Sequence, residues 1–169
     1  MPLGVAPKHL RNSEVKLKQQ QKKVSRKQRG SNRLHKAVKV LARQHERVAN
    51  RRKDYAHKVS RTIVNSYDFI AFEDLNVQGM VRNHHLAKSI ADAGWHGLVQ
   101  FVTNKAESAG RQVVRVDPRH TSQICSTCTI IVKKTLAERV HRCPHCGTTL
   151  DRDVNAAINI LMRAMRQVS

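Results

Sequence analysis

The stretch DFIAFEDL, Asp68–Leu75, decides how the rest of the chain is read. Phe69-Ile70-Ala71-Phe72 is a short continuous apolar run, the pattern of a strand buried on both faces in a parallel sheet. Downstream, RQVVRVD, Arg111–Asp117, has the same β-branched character and predicts a second strand. Between them, Asn76–Asn83 reads as a loop containing Gly79. Leu86–Ala109 is helical in pattern, breaking near Gly94, and Gly110 suits its end. Strand, helix and strand make one βαβ unit. Two strands under one helix are too few for a complete α/β sheet, and the edge of Asp68–Glu73 is left without a partner.

Upstream of this unit the composition changes. The chain has 169 residues and a formal net charge of +20. Residues 1–60 hold 18 Lys+Arg against 3 acids, a net of +15, and the remaining 109 carry +5. A field this concentrated points to a polyanion, either nucleic acid or an anionic membrane surface. No window of 18 apolar residues exists, which excludes a helical membrane span. Met1–Leu10 lacks the apolar core of a secretory signal, so the expected location is cytoplasmic, with the nucleoid.

The basic third predicts two helices. Asn12-Ser13 offers a cap before EVKLKQQQKKVSRKQR, and Gly30-Ser31 breaks the pattern. A second helix is expected from Asn32 to Val64, with a seam through Leu34, Val38, Leu41, His45, Val48, Arg52, Tyr55 and Val59. A thinner seam runs through Leu10, Leu17 and Val24. The expected arrangement is a helical hairpin with one apolar edge and a dense Lys/Arg face. Lys22, Lys23, Arg26, Lys27 and Arg29 are candidate contacts to a nucleic-acid backbone, the alternative being a solvated surface. Aromatics make up only 4% of the chain, so extensive base stacking is not expected. Trp95 and Tyr55 are assigned to packing.

Downstream, four cysteines form two pairs, Cys125-x-x-Cys128 and Cys143-x-x-Cys146, separated by 14 residues. Two such knuckles on a hairpin complete a tetrahedral shell of four thiolates, so a structural zinc ion is expected. Pro144 and Gly147 supply turn chemistry at the second knuckle. His141 and His145 are expected at the surface, because four thiolates fill the shell. The final helix, Asp153–Met165, should turn Val154, Ala157, Ile158, Leu161 and Met165 toward the core.

Carboxylates stand where α/β folds place their chemistry. Glu73 ends the first strand, and Asp151 and Asp153 open the final helix. Hard cations such as Mg²⁺ take converging carboxylate oxygens. On spacing alone, an acid at a helix start is more often just a cap favoured by the helix dipole.

Together, FEDLNVQGM, LAKSIADAGW, VDPRHTSQICSTC and CPHCG followed by DRDVNAAINIL closely resemble the TnpB (OrfB) proteins of transposons, which are similar to the type V CRISPR effector nucleases. PKHLRNSEVKLKQQQKKVSRKQRGS resembles that family's basic helical stretch. The resemblance implies an α/β, RuvC/RNase H-like nuclease fold with an inserted zinc ribbon, and Mg²⁺-dependent DNA cleavage guided by an RNA. The implied division is a basic hairpin over 1–66, a nuclease core from 67–119 and 150–169, and a ribbon over 120–149. Glu73 matches the family's second acid and Asp153 its third, with Asp151 as second choice. Asp74 is expected to point away, and Asn155 to shape the helix entrance. Ser122 and Gln123 are placed near nucleic acid, or in a turn capping the zinc site. Arg119 and His120 fit either a phosphate contact or solvent. The family's first acid lies on an earlier strand, and Met1–Lys8 contains no Asp or Glu. The expectation is therefore a partial fold lacking its first strands: a DNA-binding protein impaired in cleavage by itself, or a non-catalytic zinc-ribbon binder.

Overall fold

In the computed structural model the described residues are 9–76, 94–135 and 138–168. The elements in chain order are α1 (His9–Ser25), α2 (Asn32–Ser66), β1 (Phe69–Glu73), α3 (Trp95–Ser108), β2 (Gln112–Val116), β3 (Val140–Arg142), β4 (Thr149–Asp151) and α4 (Arg152–Val168). The expected loop 77–83, the helix portion 86–93 and the side chain of Leu10 lie outside the described residues. The chain divides into two compact units. One comprises Met1–Asn65 and Val77–Lys105, the other Ser66–Asn76 and Ala106–Ser169.

In the helical unit, α1 begins before the expected Asn12-Ser13 cap, and Ser13 is buried inside the helix. It also ends early, at Ser25, whose hydroxyl donates to the Lys22 carbonyl at 3.1 Å. Arg26, Lys27 and Arg29 therefore sit on the connection to α2 rather than on a helix. That connection ends in a true cap: Ser31 Oγ accepts from the Leu34 amide at 3.1 Å, satisfying one of the free donors of the first turn. The seam of α2 is displaced by one position in its first half. Val38 and His45 are exposed while Ala37 and Gln44 are half-buried, so the contact row follows 34, 37, 41, 44 and 48. The same 4-3 alternation can start on either step, and only packing chooses between them.

Near its end α2 buries Ser60 and Val64. The His57 ring stacks on Phe101 of α3 with centroids 4.0 Å apart. Lys105 Nζ donates to the His57 carbonyl at 2.7 Å and to Ser60 Oγ at 2.6 Å. Burial, followed by the charge of Arg61, lowers the Lys105 pKa.

The second unit contains the βαβ strands. β1 and β2 are parallel, in register from Phe69 opposite Gln112 to Glu73 opposite Val116. The Arg111 amide bonds the Ala106 carbonyl at 2.8 Å and the Gly110 amide bonds Glu107 at 3.2 Å. With Gly110 at φ +65, this pair is a Schellman motif, which ends α3 and turns the chain into β2. β3 and β4 pair antiparallel, and α4 packs on all four strands.

α4 reverses the expected facing. Val154, Leu161 and Met165 are exposed, by 50%, 43% and 54%, whereas Asn155, Asn159 and Ala164 are buried. The buried row is polar because its two amides satisfy backbone groups of the cysteine segment, which a hydrocarbon face would leave unpaired.

Candidate metal centre and carboxylate site

Each cysteine pair is shaped by the same backbone device. The Thr129 amide donates to the Cys125 carbonyl at 2.9 Å, and the Gly147 amide to Cys143 at 3.0 Å. Both donors lie four residues after the first cysteine of their pair and adopt left-handed backbone, Thr129 at φ 64 and Gly147 at φ 73. Glycine takes this conformation freely, while a β-branched threonine is strained in it. The Cys125 amide bonds the Ile130 carbonyl at 2.9 Å, and the Cys143 amide bonds Thr148 at 2.9 Å.

The four sulfurs of Cys125, Cys128, Cys143 and Cys146 lie within 4.8 Å of one another and could hold a metal ion. Cys125 and Cys146 sulfurs are 3.6 Å apart, and Cys128 and Cys143 sulfurs 3.5 Å. A tetrahedral shell with bonds of about 2.3 Å needs sulfurs about 3.8 Å apart, close to these two separations. The Thr148 hydroxyl and amide draw Cys146 down to about 6. The backbone hydrogen bond from Ile130 pulls Cys128 down, but burial and the neighbouring thiols outweigh it and push that thiol up to about 12. A metal held by the four sulfurs would displace the protons that remain on them.

His141 departs from expectation. It is fully buried rather than at the surface, its Nδ1 meets Lys134 Nζ, and its Nε2 has no hydrogen-bond partner. Alternation along β3 turns His141 inward between exposed Val140 and Arg142. Burial, then the Lys134 charge, lowers its pKa. His145 is exposed.

Glu73 is half-buried at the end of β1, and its Oε1 accepts from Thr121 Oγ1 at 2.6 Å. The exposed Asp74 carboxylate lies 3.9 Å from Arg115. Asp151 Oδ1 accepts from the amides of Asp153 at 2.8 Å and Val154 at 3.2 Å, so Asp151 is the N-cap of α4. The exposed Asp153 carboxylate lies 3.4 Å from Arg152 Nε. Among the described residues, the cysteine quartet is the only group of three or more His, Cys, Asp or Glu placed to share an ion. Glu73, Asp151 and Asp153 are not part of such a group.

Asn155 joins the two regions. Its Nδ2 donates to the Ile124 carbonyl at 2.8 Å and its Oδ1 accepts from the Ser126 amide at 3.0 Å, bracketing Cys125. Asn159 Nδ2 donates to Thr121 O at 2.8 Å and Ile124 O at 2.7 Å. Asn159 and Thr121 escaped the sequence reading. Two asparagines four residues apart inside a helix were the available signal, since asparagine is a poor helix interior residue.

Of the candidate nucleic-acid contacts, Lys22 and Lys23 are exposed on the last turn of α1, and Arg26, Lys27 and Arg29 are exposed on the connection. Arg119 is exposed, with its amide bonded to Asp117 Oδ1 at 2.9 Å. Ser122 and Gln123 are half-buried in the turn before the first knuckle, where Gln123 Oε1 meets His120 Nδ1 at 2.9 Å. Arg119 and His120 also line an open cleft with Arg163 and Arg166, two further cations that the sequence did not single out. No helix among the described residues is long and apolar enough to cross a membrane.

Two family models match, the OrfB_IS605 model described as "Probable transposase" over residues 5–84 and the Cas12f1-like TNB domain over residues 95–160. The chain is similar, along both matched segments, to OrfB-type transposases and Cas12f1-like proteins. It is 40% identical, over 92% of its length, to a protein of Streptomyces pristinaespiralis named "Putative RNA-guided DNA endonuclease", covering 39% of that relative. To the CRISPR-associated endodeoxyribonuclease Cas12f1 of Sulfoacidibacillus thermotolerans it is 31% identical, over 78% of this chain and 32% of the relative. A cryo-EM structure of a Cas12f1–sgRNA–target DNA complex matches 89% of this chain and 41% of the solved one, with TM-score 0.61 and 17% identity, so the two share a fold. The chain spans about two fifths of the length of the first curated relatives it matches.

Proposed function

We propose that this chain is a nucleic-acid-binding portion of a transposon-encoded, RNA-guided DNA endonuclease of the TnpB type. In this reading residues 1–66 form a basic helical hairpin that grips phosphates, and residues 67–119 with 150–169 form part of a RuvC-like nuclease core. Residues 120–149 form a zinc ribbon, with Zn²⁺ held by Cys125, Cys128, Cys143 and Cys146. The observation that carries the reading is the cysteine quartet joined through Asn155 to the helix that presents Asp153, the connection expected of a ribbon built into a nuclease core. The named activity of the relatives supports DNA as target and a guide RNA as partner.

Glu73 and Asp153 are the proposed Mg²⁺-binding acids, and a third carboxylate from outside the described residues completes the site. By itself the chain binds more than it cuts. That favours the second reading, a non-catalytic binder, for the isolated chain. Lys22, Lys23, Arg26, Lys27, Arg29 and Arg119 contact backbone phosphates, with Ser122 and Gln123 close by. The test is Mg²⁺-dependent cleavage of DNA by the purified chain and by E73A, beside binding measured across a salt series. Steeply salt-dependent binding with cleavage that E73A does not alter leaves the binder. Binding indifferent to salt sinks both readings.

A further inference from the structure

We infer that Thr121 is the positioning residue of Glu73, holding its carboxylate in one rotamer at the end of β1; the inference rests on the reading of Glu73 as a working acid. Thr121 is 4% exposed, so water does not compete for its hydroxyl. That hydroxyl has one proton and two acceptors in reach, Glu73 Oε1 at 2.6 Å and the Pro118 carbonyl at 3.1 Å. The shorter contact, to a charged oxygen, takes the proton, because an O–H donor to a carboxylate is the stronger bond. Among the described residues no second side chain donates to Glu73, so this single bond sets the carboxylate.

The hydroxyl is useful as an anchor only if its own backbone is fixed, and three features fix it. His120 at φ 59 turns the chain immediately before Thr121. Asn159 Nδ2 holds the Thr121 carbonyl at 2.8 Å from the core face of α4. Both asparagines hold Ile124, where the first knuckle begins. The strand end is thereby tied to the helix that carries Asp153 in its first turn. A glutamate has three torsions and would otherwise sample several staggered wells. Pre-orienting it removes that freedom before any ligand arrives.

The experiment uses the full chain loaded with Zn²⁺ and reads the Glu73 χ1 from three-bond couplings of Cγ to the backbone nitrogen and carbonyl carbon, in the wild type, T121V and T121S. The wild type and T121S should show the unequal couplings of one rotamer. In T121V the contrast should fall about two-fold as wells interconvert. T121A gives the same readout if the valine variant loses its zinc. Couplings in T121V or T121A equal to wild type overturn the inference, as does failure of T121S to restore them. Cleavage unchanged in E73Q would instead remove the catalytic reading while leaving the couplings as they are.

Discussion

The two units of this chain are built on opposite principles. The helical one carries most of the charge, and its long basic helices bury few side chains, Ser13 and Leu17 on α1 and Val48, Ser60 and Val64 on α2, with Val99 and Val102 added by α3. The other is nearer neutral and is organised by directional bonds: two knuckles, a pair of buried asparagines and a cap. Long helices satisfy their own backbones, so the first tolerates a wet, basic surface. Strands of three residues and turns cannot, and the second relies on side-chain amides, beside a cysteine quartet that could hold a metal, to supply what regular structure does not.

The most severe test of that contrast is to remove the metal. C143S should lower bound Zn²⁺ from one per chain to none, and the amide resonances of 120–151 should lose their dispersion. The helical circular dichroism of α1 and α2 should persist; its collapse would show that the units do not stand apart. Next in size is the reverse operation. Replacing Lys22, Lys23, Arg26, Lys27 and Arg29 with glutamine should leave thermal stability nearly unchanged. The slope of log affinity for DNA against log salt should flatten by about 0.9 for each phosphate that is no longer neutralised. An unchanged slope would move the binding surface elsewhere.

A single amide probes the second unit more gently. N155A should cost about 1–3 kcal/mol in urea unfolding of that unit, because the buried Ser126 amide loses its partner while the Ile124 carbonyl keeps only the Asn159 amide. A cost under about 0.5 kcal/mol would mean that apolar packing, not the amide network, holds the cysteine segment. The smallest effect concerns the two knuckles themselves. T129G should stabilise by about 1 kcal/mol, since it relieves a threonine at positive φ and makes the first knuckle match the second. Destabilisation would show that the Thr129 side chain contributes more than its backbone strain costs.

The legible parts of the fold were the locally encoded ones. Phe69–Phe72 and Arg111–Asp117 announced their strands through apolar runs, and Gly110 announced the turn between α3 and β2. The cysteine spacing announced the quartet. The phase of the α2 seam was not legible, because Leu34, Leu41 and Val48 fit either alternation and only neighbours exclude Val38 and His45. The face of α4 was read backwards. Hydrophobic periodicity pointed to Val154, Leu161 and Met165, while the demand of buried backbone groups at Thr121, Ile124 and Ser126 brought Asn155 and Asn159 inward. His141 was misplaced for a related reason, since alternation along a three-residue strand is too short to be read from sequence.

By itself, the sequence determined the charge asymmetry, the types of the longer helices and of the two parallel strands, the cysteine quartet that could hold a metal, and the likeness to TnpB/OrfB proteins. These depend on residue type and on spacings along one stretch of chain. Tertiary structure alone decided that Asp151 is engaged in capping α4, that Thr121 reaches Glu73 from 48 residues away, and that Asn155 and Asn159 turn inward on the last helix. Those outcomes follow from which polar groups are left unpaired once the chain is folded, and that set exists only after distant segments meet.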